Sequence, residues 1–395
     1  MKIALIHDHL VQDGGAEKVL EVFCQMFPEA PIYTLLYDKK NVAKRYPNRR
    51  IDVSIIQKMP GGVRFYQWYL PFMPMAVEFF DLREYDVVIS DTSSFAKGVI
   101  TTPETTHICY CHTPTRYLWS DTHQYINELK YNKFIKKIAS IILSRIRIWD
   151  RLAANRVDHF IANSKIVQKR ISKYYQRDSE LIYPPVETNK FYISPELGDY
   201  FLIGCRLAPY KRVDLAIEAF KILGPEYKLR IFGDGVDLKR LKKLAKNYPN
   251  IEFLGRISDA EKAEQMSKCL AFIHPQEEDF GISKVEAMAS GRPVIAYKKG
   301  GALETVIEGK TGLFFNEQKA DSLAMAVQKF YTDLRESRSN WNSRAIKEHA
   351  ENFSLQKFKD NILTFIKKLR PDLFVDSEKE AIDLEKETGS LATNK

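Results

Sequence analysis

The sequence predicts an α/β protein made of two Rossmann-like domains. Short, continuous apolar runs alternate with helix-length amphipathic stretches, as expected for parallel strands covered on both faces. This alternation occurs twice. It breaks near LIYPPVETNKF (181–191), where Pro184 and Pro185 impose extended geometry. At 395 residues the chain is long for one domain and comfortable for two.

The first series opens with KIALIH (2–7), read as a buried parallel strand. A loop, HDHLVQDGG, leads to a helix from Ala16 to about Phe27. Further strands are predicted at PIYTLLY (31–37), IDVSII (51–56), DVVIS (86–90), HICYC (107–111) and HFIANS (159–164). The aromatic stretch RFYQWYLPFMPMAVEFF (64–80) would be interrupted as a helix by Pro71 and Pro74. It reads either as a buried irregular segment or as an apolar surface for an acceptor or a membrane. The second series predicts strands at YFLIGC (200–205), KLRIFG (228–233), IEFLG (251–255), LAFIHP (270–275) and RPVIAY (292–297). Helices fall near 212–223, 236–247, 259–268 and 282–290, and helical patterns at 320–335 and 354–368 follow. The domains are therefore set at 1–187 and 188–352. A C-terminal helix, 353–370, is expected to pack back towards the first domain, and 371–395 is expected to be a loosely ordered acidic tail.

Composition is that of a soluble globular protein, 45% hydrophobic and 28% charged. Only Ile3 to Ile6 are apolar before His7, Asp8 and His9, so no secretory signal is read. No apolar run approaches the roughly 18 residues that span a bilayer. Five scattered cysteines without a CxxC pair read as buried, reduced thiols. The net charge of +9 is unevenly spread. Residues 130–156 carry eight basic side chains and one acid, Asp150, interleaved with Phe134, Ile138, Ile141, Ile142, Ile146 and Trp149. That pattern suits an anionic membrane surface, and equally a long helix with a solvated basic face. The expected location is cytoplasmic, peripheral at the inner face of the membrane, with nucleic acid set aside as a partner.

Three motifs carry chemistry. Gly14 and Gly15 stand between the first strand and a helix, where free N–H groups can meet a phosphate. Arg206 and Lys211, in GCRLAPYKR, could reach one anion, such as a diphosphate. In PQEEDFGISKVEAMASG (275–291), Glu278 precedes a turn at Gly281 and Glu286 lies about one turn into the next helix. Amides of Phe280, Gly281 and Ile282 would point at a ligand, and the two carboxylates could bind hydroxyls at separate points along it. His112, ended by Thr113 and Pro114, falls at the carboxyl edge of the first sheet, where open α/β folds bind ligands. His7 and His9 could line the same edge and are given no role. No histidine shows metal-ligand spacing, so neither a metal nor a cofactor is expected.

The run EDFGISKVEAMASGRPVIAYKKGGALETVIEGKTG resembles the donor-site signature of retaining glycosyltransferases of family 4, which have the GT-B fold. GCRLAPYKRVDLAIEAF and GGAEKV resemble two further segments of that family, and CYCHTPTRYLW (109–119) resembles a bacterial branch with mannosyltransferases of surface-polysaccharide assembly. The resemblance implies two domains facing across a cleft and metal-independent transfer with retention. Arg206 and Lys211 would neutralise the donor diphosphate, Glu286 would bind ribose hydroxyls and Glu278 the donor sugar. Amides near Gly281 and Gly15 would contact sugar and phosphate. His112 would lie near the donor sugar and the acceptor, Arg116 would help position either, and Arg256 would lie beside the base. GDP-mannose is the expected donor, and a lipid-linked saccharide or growing polysaccharide the expected acceptor. A UDP-hexose-dependent transferase, a GT-B epimerase or phosphorylase, and a binder of anionic polymers are the alternatives.

Overall fold

A buried strand must pair its backbone polar groups with neighbours, so apolar runs gather into sheets. The computed structural model describes residues 1–11, 14–128, 131–336 and 341–374. Their contacts sort the chain into two compact units. One holds residues 1–162, 170–182 and the stretch from Phe358; the other holds 163–169 and 183–357.

The first unit contains strands β1 (Ile3–His7), β2 (Ile32–Thr34), β3 (Ile51–Val53), β4 (Val87–Thr92), β5 (Thr106–Cys111), β6 (His159–Ala162) and β7 (Ser179–Leu181). They make one parallel sheet in the order β3-β2-β1-β4-β5-β6-β7. Its helices are α1 (Gly15–Met26), α2 (Lys39–Arg45), α3 (Met73–Glu78), α4 (Thr122–Glu128), α5 (Lys133–Asn155) and α6 (Lys165–Tyr175). The residues of α6 up to Lys169 group with the second unit.

The second unit contains β8 (Tyr200–Gly204), β9 (Lys228–Phe232), β10 (Ile251–Gly255), β11 (Phe272–His274), β12 (Val294–Tyr297) and β13 (Gly312–Phe315). These again form a parallel sheet, in the order β10-β9-β8-β11-β12-β13. Its helices are α7 (Val213–Leu223), α8 (Leu238–Leu244), α9 (Asp259–Lys268), α10 (Ile282–Ala289), α11 (Ala302–Thr305), α12 (Ala320–Arg335) and α13 (Ser343–Ala350). Alternation along each strand divides the core. Phe201, Ile203, Leu229 and Ile231 pack towards α7 and α12, whereas Tyr200, Leu202, Phe272 and Val294 pack towards α9, α10 and α13. The last long helix, α14 (Leu355–Leu369), returns Phe358 to the first unit, where its ring meets Phe23 at 5.5 Å and Tyr110 at 5.7 Å.

Four local expectations are corrected. The strand expected over 31–37 pairs only at Ile32–Thr34, because β1 ends at His7 and only an isolated bridge, Leu10 to Tyr37, continues the pairing. β7 and α13 were not predicted: β7 is a short edge strand without an apolar run, and α13 buries only Ile346 and Ala350. β13 was not predicted either: it begins at Gly312, the last residue of the stretch GGALETVIEGKTG (300–312), and continues beyond it. The segment 64–80 is a 3-10 turn, Tyr66–Phe72, followed by α3, with Pro74 in the first turn of α3, where a missing N–H is harmless. The segment divides between a buried and an exposed face. Met73, Ala76 and Val77 are buried, while Phe65, Trp68, Phe72, Met75 and Phe79 are exposed. The acidic tail expected over 371–395 lies outside the described residues from 375 onwards.

Asp150, the one acid of the basic segment, is a structural anchor. Its carboxylate is buried and accepts from Lys97 Nζ (2.5 Å), Thr115 Oγ1 (3.1 Å), Trp119 Nε1 (2.7 Å) and Tyr175 Oη (2.9 Å). Lys97 is equally buried. Replacing Asp150 by Ala strands that ammonium, and a loss of about 3–5 kcal/mol is expected in urea unfolding. A loss below about 1 kcal/mol, the scale of a surface pair, would show that Lys97 finds another partner.

Candidate active site

In each sheet the strand order reverses direction at one point, and there the helices diverge to leave a crevice at the carboxyl ends. In the second unit that point lies between β8 and β11. β8 ends at Gly204 and leads into Arg206, which is exposed and donates to Tyr210 Oη at 3.1 Å. A 3-10 turn, Pro209–Lys211, then meets α7 through Arg212, held at φ +52°. That left-handed geometry is strained for a residue with a side chain. Arg212 Nη1 anchors it by donating to Gln318 Oε1 at 2.9 Å.

β11 ends at His274, and its loop brings Glu278 to Lys211, with which it forms an ion pair. Gly281 caps α10 at φ +84°. A Cβ there would lie 2.7 Å from Lys284 Nζ and 2.9 Å from Glu278 Oε2, so both conformation and space require glycine. Phe280 is buried between Tyr183 and Phe353. The glycine pair of the GGALE turn braces the loop, since Gly301 N donates to Glu278 O at 2.8 Å.

Two buried groups complete this cluster. Lys284 Nζ donates to Phe280 O at 2.6 Å and is shut away from solvent. Burial lowers its pKa from 10.5 to about 7, with Glu304 opposing the fall and Lys211 reinforcing it. His274 is also buried, and its Nε2 lies 3.4 Å from Glu278 Oε2. Neither of its ring nitrogens has a hydrogen-bond partner among the described residues. Burial first, then the Lys284 and Lys211 cations, hold it neutral, far below its ordinary pKa. Burial likewise lowers the pKa of Lys211.

The other acid, Glu286, sits in α10 and pairs with Lys262 of α9 at 2.9 Å. Glu304 accepts from the amides of Lys165 (2.8 Å) and Ile166 (3.4 Å) at the start of α6. Arg256 follows β10 and is exposed; among the described residues no hydrogen bond or ion pair links it to Glu278 or Glu286.

In the first unit the reversal lies between β1 and β4. Gly14 caps α1 and Gly15 is its first residue; Gln12 and Asp13 lie outside the described residues. His112 follows β5, and its Nε2 lies 2.6 Å from Asp91 Oδ1. The other oxygen of that buried carboxylate is 2.9 Å from His7 Nδ1. Asp8 shapes the loop after β4 by accepting from Thr92 Oγ1 and from the amides of Ser93, Phe95 and Ala96. Arg116 is exposed and paired with Asp121 at 2.8 Å.

Within the second unit the fold thus brings Lys211, Glu278 and Gly281 into one cluster, beside Arg206 on the neighbouring turn. Sequence reading missed Lys284, His274, Lys262 and Asp91. Only His274 and Asp91 carried a signal, as charged or polar residues ending apolar strands.

Comparison with known proteins adds the identity. A model described as "Glycosyltransferase Family 4" matches residues 13–190, and one described as "Glycosyl transferases group 1" matches residues 189–348. The chain belongs to glycosyltransferase family 4. It is 26% identical to an alpha-1,3/1,6-mannosyltransferase of Dictyostelium discoideum, over 93% of this chain and 98% of that protein. It is 29% identical to a GDP-mannose-dependent phosphatidylinositol monomannoside mannosyltransferase of Mycolicibacterium smegmatis, over 47% of this chain and 56% of that protein. Among solved structures, HepE of Anabaena in complex with UDP superposes with a TM-score of 0.69 at 20% identity, covering 93% of this chain and all of HepE. Sucrose-phosphate synthase of Thermosynechococcus elongatus gives 0.72 at 17% identity, covering 93% of this chain and 99% of that one. The fold of this glycosyltransferase is GT-B.

Lys284 generates a prediction about pH. Its pKa is about 7 in the folded chain and ordinary, near 10.5, when unfolded. Between those values the unfolded chain holds a proton that the folded one lacks, so this group makes stability rise with pH. At and below pH 7 the full penalty of burying the cation applies. Lys284→Met is therefore expected to melt several degrees above the wild type at pH 6–7, with the advantage shrinking towards pH 10. A difference in Tm that stays flat across this range would mean that Lys284 is not a buried cation.

Proposed function

We propose that this glycosyltransferase moves mannose from GDP-mannose to a lipid-linked saccharide or growing surface polysaccharide, with retention and without a metal ion. The observation that carries the reading is the cluster of Arg206, Lys211 and Glu278 beside the Gly281 turn, at the carboxyl ends of β8 and β11. The mannosyl assignment is supported by the activities of the Dictyostelium and Mycolicibacterium relatives.

The chemistry separates a sugar from a nucleoside diphosphate, and negative charge builds on the leaving phosphate. Preorganised cations and amides stabilise such charge where water is scarce. Lys211 supplies a point charge and Arg206 a planar fork. On donor binding the phosphate takes over Lys211, and Glu278 is released to accept from sugar hydroxyls. Glu286, held by Lys262, is placed to accept from ribose hydroxyls. No carboxylate is assigned as nucleophile on the acceptor side. The acceptor attacks the face the phosphate leaves, and the phosphate oxygen takes its proton. His112 contacts the sugar, and Arg116 helps position substrate.

A membrane surface is proposed as the working environment, through α5. The structure redraws the basic segment. Ile146 is buried, and Ile142 and Trp149 pack against the core. Arg147 and Arg156 are tied to Thr122 and Glu78. Phe134, Ile138, Ile141, Ile148 and Leu152, spaced three and four apart along one stripe, are exposed, with Arg145 between them. Lys133 and Lys137 are exposed nearby. The rings of Trp68 and Tyr131 meet at 5.8 Å, which brings the exposed aromatics of 64–80 to the residues that lead into this helix. A self-paired helix would face like charges, whereas an anionic bilayer accepts both the apolar stripe and the cations. No described helix is long and apolar enough to cross a membrane.

A thermal-shift series tests the donor. GDP and GDP-mannose are expected to raise the Tm, by about 2.7 kcal/mol of stability at about 100 times the Kd. Glu286→Ala and Lys211→Ala are expected to abolish the rise. A response to UDP compounds alone would remove the mannosyl assignment, and no response to any nucleotide would sink the transferase site. Flotation tests the surface: the protein should rise with anionic vesicles and not with neutral ones, and Ile138→Glu with Ile141→Glu should keep it at the bottom. Equal recovery with both lipids would end the membrane reading.

A further inference from the structure

The first unit contains a group that the proposed chemistry does not use: the carboxylate of Asp91, with an imidazole on each oxygen. Asp91 ends no loop and touches no solvent; it is 1% exposed, and His7 is 3% exposed. The parallel register explains the arrangement. β4 lies between β1 and β5, His7 is the register partner of Asp91 on β1, and His112 is the first residue beyond β5. His7 Nδ1 reaches Oδ2 at 2.9 Å and His112 Nε2 reaches Oδ1 at 2.6 Å. Tyr110 holds the His112 ring edge-on from the other side, at 5.3 Å between centroids.

An ionised carboxylate has no hydrogen to give, so both bonded nitrogens must carry one. Asp91 is ionised: burial alone would raise its pKa, but the imidazoles of His112 and His7 bring it below the ordinary carboxylate value. His7 stays protonated at neutral pH. Burial works against that, but the hydrogen bond and charge of Asp91 lift its pKa to about 8, with help from Glu17 on α1 and the adjacent Asp8. His7 and Asp91 thus form a charge-neutral pair. Asp91 still has one oxygen left to orient His112.

We propose that Asp91 is a positioning residue. It fixes His112 as the Nε2–H tautomer, so that the neutral ring offers Nδ1 as an acceptor to a hydroxyl of the bound sugar, with His7 as the counter-ion. The inference rests on the reading of His112 as a substrate contact. It goes beyond that reading by naming the protonation pattern and the groups that impose it. The ring cannot turn over without giving up its bond to a buried charge, and a partner of this kind sets which nitrogen faces the ligand.

The test uses the full chain labelled with 15N-histidine, with His112→Gln assigning the resonance. At pH 8 the wild type is expected to show Nε2 protonated and Nδ1 bare. In Asp91→Asn, His7 loses the charge that held its second proton; with its Nδ1–H on the amide oxygen, the NH2 group meets His112, whose proton moves to Nδ1. Sugar transfer is then expected to fall about a hundredfold in kcat, the scale for a reacting group misplaced by about 1 Å, with the donor KM little changed. His7→Gln keeps the Asp91–His112 bond, so at pH 8 the His112 ring is expected to keep Nε2 protonated and Nδ1 bare; this variant carries the test if Asp91→Asn does not fold. An Nδ1–H ring in the wild type, an unchanged tautomer in Asp91→Asn, an unchanged kcat after the tautomer moves, or an Nδ1–H ring in His7→Gln would each overturn the proposal. The spectra need no sugar donor, so an inactive wild type would count against the proposed reaction and leave the clamp to be decided by NMR.

Discussion

Parallel strands can be joined only by crossovers, and the helices that make them must cover both faces of the sheet. Where the strand order reverses, the crossovers leave in opposite directions and the strand ends between them stay uncovered. Each sheet here has one such point, β1 with β4 and β8 with β11. His7, Gly204 and His274 end β1, β8 and β11, and Asp91 is the last residue but one of β4. Around three of them, His7, Asp91 and His274, gather several of the buried charged side chains. The position of the candidate chemistry is thus a consequence of connectivity, and the side chains only decide what it does.

Ionised groups near a low-dielectric interior are tolerated only when each has a partner. The protein solves this in different ways. Lys97 and Asp150 are fully buried, and three neutral donors share the carboxylate, which makes the pair a structural fastener. Lys211 and Glu278 are partly buried and paired at the mouth of a glycine turn. Lys284 has a backbone carbonyl in place of a carboxylate, and its depressed pKa records the poorer bargain. The gradient runs from a fully compensated pair to an under-compensated cation, and the under-compensated end lies beside the loop proposed to hold the donor.

The sequence was legible where its signal was local. The apolar runs at 2–7, 200–205 and 251–255 became strands nearly at their predicted bounds, because a continuous apolar run has few other fates in an α/β chain. The Gly281 turn and the start of α10 followed from a glycine before a helical pattern. What failed was non-local. His7 and Asp91 are 84 residues apart in sequence, and only the register of β1 against β4 makes them neighbours. Lys284 reads as an ordinary solvated helix residue until the packing of Phe280 and Gly281 encloses it. The basic segment shows a related limit: sequence alone does not separate its cations, but Arg147 and Arg156 are engaged with the body of the first unit and Lys133, Lys137 and Arg145 are exposed.

On the proposed assignment of Lys211 to the donor phosphate and Glu278 to the donor sugar, their ion pair has a consequence for turnover. With the site empty, Lys211 already has an anion of its own. An incoming phosphate therefore exchanges one negative neighbour for another, and the free energy of that exchange is smaller than the attraction of phosphate to a bare ammonium. Glu278 acts as a tethered competitor. It discourages stray anions while the site waits, and once the sugar has left it can reclaim Lys211 and help displace the spent nucleotide.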